Sequence, residues 1–61
     1  MATAILRLPQ VTARVGLSRS AIYLAISRNA FPAPVPLGSR AVGWVEKEIE
    51  AWLQNRIERR R

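Results

Sequence analysis

The chain contains no cysteine, no histidine and no aspartate. Without cysteine it has neither a disulfide nor a thiolate metal site. Without histidine the usual zinc ligand sets are unavailable. The same absences argue against an enzyme and against a resident cofactor or metal. Histidine, cysteine and aspartate, all from the usual catalytic sets, are missing, and the glutamates cluster at one helix start, where capping and the helix dipole account for them. No apolar run approaches the ~20 residues of a membrane span. Nothing resembles a signal peptide, so a cytoplasmic location is expected. Acid is missing from most of the chain: residues 1–45 hold Arg7, Arg14, Arg19, Arg28 and Arg40, whereas Glu46, Glu48, Glu50 and Glu58 all follow.

What is present is apolar and basic. Hydrophobic residues make up 49% of the 61 positions, too many for a disordered chain. That length allows one domain with a small core, stable by only about 3–5 kcal/mol. The formal net charge is +6. An acid-free basic stretch implies a polyanionic partner, either nucleic acid or an anionic membrane surface. Every cation in that stretch is arginine, which favours bidentate recognition of phosphate or guanine. Arginine-rich codon usage in a GC-rich genome is the plain alternative.

The most informative stretch runs from Leu17 to Arg28. Ser18 suits an N-cap, because its hydroxyl can accept from an unpaired N–H of the first helical turn. Leu17 and Ile22 are spaced as a hydrophobic staple around that cap. Ile22, Ala25 and Ile26 fall on one side of the helix, with Ala21 at its edge. The other side carries Ser20, Tyr23, Leu24 and Ser27, flanked by Arg19 and Arg28. Short hydroxyls, one aromatic ring and guanidinium groups with no acid suit base edges and the phosphates beside them. A solvated helix face is the alternative.

Upstream, Met1 to Arg7 is a lead-in whose Ile5 and Leu6, with Leu8, either fold back as a patch or stay mobile. Pro9 suits the first turn of a short helix in which Leu8, Val11 and Val15 form a stripe and Gly16 the stop. Two short helices joined by a tight glycine turn make a helix-turn-helix, the second helix being the one that enters a major groove.

Downstream, Phe31 closes over the core. Pro32, Pro34 and Pro36 then leave only an extended edge strand or a polyproline segment. Residues 35–45 read as a β-hairpin with Arg40 near its tip. Beside a helix-turn-helix such a tip is a wing, able to reach backbone or minor groove; alternatively Arg40 pairs with a glutamate of the last helix. Residues 46–58 form that helix, with Val45, Ile49, Trp52 and Leu53 as its core stripe. Trp44 and Trp52 read as core rather than stacking platforms. The terminal Arg59-Arg60-Arg61 run reads as solvated.

The fold expected is mostly α with a small β-hairpin, a winged helix-turn-helix in the order α-α-β-β-α. It spans residues 6–57, with short flexible ends at 1–5 and 58–61. Five segments together carry a family resemblance: Leu8-Pro9-Gln10-Val11, Gly16 to Ser20 with Ile22-Tyr23, Phe31 to Val35, Gly38 to Trp44, and Glu48 to Leu53. In this order they resemble the AlpA family of prophage-associated DNA-binding regulators, related to excisionases and to the MerR-type winged helix. The resemblance covers residues 6–57. It implies a sequence-specific double-stranded DNA-binding transcriptional regulator of a prophage or mobile element, in some members also a directionality factor for excision. It implies that the recognition helix corresponds to Ser18 to Arg28 and the wing to Gly38 to Ala41. Within these, Ser18, Arg19, Ser20, Tyr23, Ser27 and Arg28 of the helix and Ser39 and Arg40 of the wing are the residues expected to meet DNA. It departs from the family at Leu24, where a basic residue is common, and at Ala25, where leucine is. Leu24 then meets either a thymine methyl or a neighbouring protomer. Further copies bound cooperatively on DNA are the other expected partner. The rival from another class is a protein-interaction module, a phage-encoded adaptor or inhibitor docking on a host factor through Tyr23 and Leu24.

Overall fold

The computed structural model describes residues 4–59. Residues 1–3 and 60–61 lie outside the described residues, and with them most of the expected flexible ends and Arg60-Arg61 of the terminal run. The chain runs β1 (Ile5–Leu6), α1 (Leu8–Val15), α2 (Arg19–Ser27), β2 (Val35–Pro36), β3 (Val42–Val45) and α3 (Glu46–Arg59). Three helices thus enclose one small antiparallel sheet of order β1-β3-β2. This is the expected winged helix-turn-helix with one strand more than the hairpin requires.

The extra strand corrects the reading of the lead-in. Ile5 pairs with Val45 and Leu6 with Trp44, and the Glu46 N–H donates to Ala4 O at 2.9 Å. Ile5 is therefore part of the sheet rather than of a flexible end, and Glu58 and Arg59 continue α3. Sequence does not mark this strand because its partner is remote in the chain, and two residues carry no period of their own.

Local signals set the helix ends. At the start of α1, Gln10 Oε1 accepts from the Arg7 N–H at 2.9 Å. At its end Gly16 takes φ 73° and donates to Thr12 O, the left-handed stop that glycine adopts without strain. Ser18 caps α2 as expected, its Oγ accepting from Ala21 N at 3.2 Å. The far end of α2 is closed by Asn29 at φ 56°, with Asn29 N–H to Ile26 O and Ala30 N–H to Ala25 O. Asparagine is the residue that most readily replaces glycine in that position.

The core is Leu6, Val11, Ile22, Phe31, Trp44 and Ile49, so every element except β2 contributes or flanks it. Trp44 is fully buried, and its indole N–H donates to Pro32 O at 3.0 Å. Trp52 lies at the rim instead: half-buried, with Phe31 edge-on at 4.9 Å and the Arg56 guanidinium at 4.8 Å. Its N–H donates to Ala30 O at 2.8 Å. The two tryptophans thus hold the carbonyls of a proline-rich segment that has few strand partners of its own.

Gly43 sits at the middle of the sheet. A Cβ there would collide with Ile5 Cγ2 and come within 3.1 Å of Leu6 O, so β1 can lie this close only against glycine. On the outer side, the Leu37 N–H points inward to Ala41 O at 2.7 Å. Backbone donors alternate in direction along a strand, so those of residues 36 and 34 would point outward. Both positions are proline.

Candidate nucleic-acid interface

The helix-turn-helix turn is only Gly16-Leu17-Ser18, and it fixes which side of α2 is free. Ile22 is fully buried, while Ala25 and Ile26 pack against the core. This leaves Arg19, Ser20, Tyr23, Leu24, Ser27 and Arg28 exposed together on the outward face. Tyr23 is 39% exposed and Leu24 52%. The face carries no acid.

The expected site residues differ in what they have left to offer. The Ser18 oxygen is engaged by the cap and keeps its proton for an outside acceptor. Ser27 is the reverse: its hydroxyl donates to Leu24 O at 2.7 Å, so it can only accept. Such a bond back to the preceding turn is common for serine within helices. The Arg19 guanidinium lies 5.8 Å from the centre of the Tyr23 ring. The Tyr23 ring in turn stands edge-on to Trp44, 6.3 Å between centres and 69° between planes.

The five arginines of residues 1–45 divide into two groups. Arg14 bridges to Glu46 at 2.9 Å and Glu50 at 3.6 Å. Arg7 donates from Nε to Val42 O at 3.0 Å. That carbonyl lies beyond the end of β1, where the chain has already turned into α1, and the side chain replaces the missing strand donor. Arg19, Arg28 and Arg40 have no ion pair among the described residues. Arg40 therefore does not pair with a glutamate of α3; it is exposed in the Leu37–Ala41 loop with Ser39 beside it. Loop and helix meet through β3, since Trp44 packs on Tyr23. Sequence reasoning missed Arg7 and Arg14 as internal ties. Nothing local marks either one, because their partners are remote in the chain.

Residues 4–57 match the family described as prophage CP4-57 regulatory protein (AlpA). The chain belongs to the AlpA family. Two relatives make the kinship concrete. An uncharacterized protein of Enterobacteria phage P4 is 46% identical over 52 residues, covering 85% of this chain and 59% of the relative. The DNA-binding transcriptional activator AlpA of Escherichia coli (strain K12) is 39% identical over 61 residues, covering 90% of this chain and 87% of that one. This AlpA-family chain thus spans about three fifths of the phage relative and most of the bacterial one. Among the described residues no helix is long and apolar enough to cross a membrane.

Proposed function

We propose that this AlpA-family chain is a sequence-specific double-stranded DNA-binding transcriptional regulator of phage origin, acting in the cytoplasm. The observation that carries the reading is the outward face of α2. It offers a ring, hydroxyls, no acid and two arginines, beside a loop with a third, and none of the three arginines has an ion pair among the described residues. That composition answers phosphate and base edges together. The Escherichia coli relative, described as a DNA-binding transcriptional activator, supports it.

In this reading α2 lies in the major groove, with Arg19, Ser20 and Tyr23 in its first turns nearest the bases. Ser18 donates to a phosphate, and Ser27 accepts from a base donor. Arg28 and, from the wing, Ser39 and Arg40 hold backbone. One such unit covers too few base pairs to be selective alone, so further copies bind side by side. Excision control of an integrated element is the finer role that the family suggests.

The experiment is selection of duplexes from a random-sequence library, followed by titration at several salt concentrations. A DNA regulator yields an enriched motif and an affinity that falls linearly in log–log form with salt. Absence of a motif, with no salt-dependent affinity for any duplex, overturns the reading. It would favour the docking of Tyr23 and Leu24, adjacent and exposed, on a host protein instead.

A further inference from the structure

We propose that Tyr23 is a positioning residue for Arg19: its ring, seated on buried Trp44, sets the direction in which Arg19 leaves α2. This inference rests on the reading that α2 meets DNA. It moves Tyr23 from reading a base to aiming the residue that does.

Three observations on separate elements align. First, Arg19 and Tyr23 are one turn apart on the same face, and the guanidinium lies 5.8 Å from the ring centre. Second, the ring is itself held, standing edge-on to Trp44 at 6.3 Å. Third, Trp44 is anchored: it is fully buried and its indole N–H donates to Pro32 O at 3.0 Å. The series runs from the loop before β2, through the wing strand, to the first residue of the recognition helix. Among the described residues Arg19 has neither an ion pair nor a side-chain hydrogen bond, so the ring is what orients it. Among the described residues Arg28 and Arg40 meet neither ring nor carboxylate, so of the three Arg19 is the one pre-aimed there. The Tyr23 hydroxyl makes no hydrogen bond among the described residues, consistent with the ring being the working part.

An arginine that is free in solution must be immobilised when it takes a base. A side chain already held spares that cost, which corresponds to roughly two- to ten-fold in affinity. The effect should appear only where Arg19 reads sequence.

The test uses the duplex that the wild-type protein selects from a random library, and a scrambled duplex of the same composition. Tyr23→Phe and Tyr23→Leu are each made in the wild-type and Arg19→Ala backgrounds. Tyr23→Phe, which keeps the ring, should keep the Arg19-dependent preference for the selected duplex. Tyr23→Leu should lose roughly two- to ten-fold on the selected duplex, nothing on the scrambled one, and nothing further when Arg19 is already alanine. Without DNA, the Arg19 side-chain protons should show upfield ring-current shifts that persist in Tyr23→Phe and vanish in Tyr23→Leu. Equal losses in both backgrounds would mean that Tyr23 touches DNA on its own account and overturn the proposal. So would a Phe variant as weak as the Leu variant, which would assign the role to the hydroxyl. Absence of ring-current shifts in the wild-type protein overturns it even if Tyr23→Leu does not fold. Failure of the DNA reading looks different: the wild type then prefers no duplex over its scrambled form.

Discussion

Helices α1 and α2 are near twins in build. They have eight and nine residues, each buries one aliphatic side chain completely, and each is closed by a left-handed residue, Gly16 directly after α1 and Asn29 one residue beyond the Arg28 cap of α2. Each is also flanked or occupied by two arginines. Yet Arg7 and Arg14 of the first region are tied to Val42 O and to two glutamates, whereas Arg19 and Arg28 of the second meet no acid among the described residues. The number of arginines is the same and their chemistry is opposite. What separates them is what lies across from each helix: α1 faces the start of α3, where the acids are, and α2 turns its arginines to solvent. A basic residue in this fold is therefore a ligand contact or a brace according to its neighbour, not its type.

The sharpest way to break the comparison is to remove what the helices share. Ile22→Ala should cost about 2–4 kcal/mol, against a total stability of about 3–5 kcal/mol. Urea titration followed by circular dichroism should then show a largely unfolded population at room temperature; a native-like midpoint would mean that Ile22 is not central. Next in size is Arg19→Ala, expected to cost about 1–3 kcal/mol on the selected duplex and much less on random DNA. Equal losses on both would remove Arg19 from readout. Arg40→Ala should weaken both duplexes alike and lower the salt slope by about one unit. A loss confined to the selected duplex would mean that the wing reads groove shape. The smallest effect belongs to Arg14→Ala: an exposed ion pair contributes about 0.2–1 kcal/mol to stability, and neither DNA affinity nor salt slope should change. If Arg14→Ala lowered the slope as Arg40→Ala does, the division between brace and ligand contact would fail.

The parts of this fold that could be read from the chain are those whose cause is local. The Ser18 cap, the Gly16 stop, the buried side of α2 and the hairpin around Arg40 all rest on residues within a few positions of one another. The parts that could not be read depend on contacts across the chain. Ile5 and Leu6 become a strand only because β3 supplies an edge, and Gly43 matters only because Ile5 lies over it. Trp52 illustrates the same limit. Helical spacing puts it on the core stripe, but Phe31 and Trp44 fill the interior first and leave it at the rim. Within the candidate site, periodicity identifies the exposed face, whereas the internal bond of Ser27 and the stacking of Arg19 need coordinates.

The prolines of the wing have a consequence for crowding. With Pro34 and Pro36 at the positions whose donors would face outward, the free side of β2 presents carbonyl oxygens and no N–H groups. A second strand could donate to those carbonyls but would receive no N–H in return, so the edge supports only half of a ladder. Copies of this chain brought together at high local concentration would therefore meet at the wing without a full ladder to fuse their sheets. The hairpin ends the sheet in chemistry as well as in sequence, and its tip stays available for whatever the loop is meant to touch.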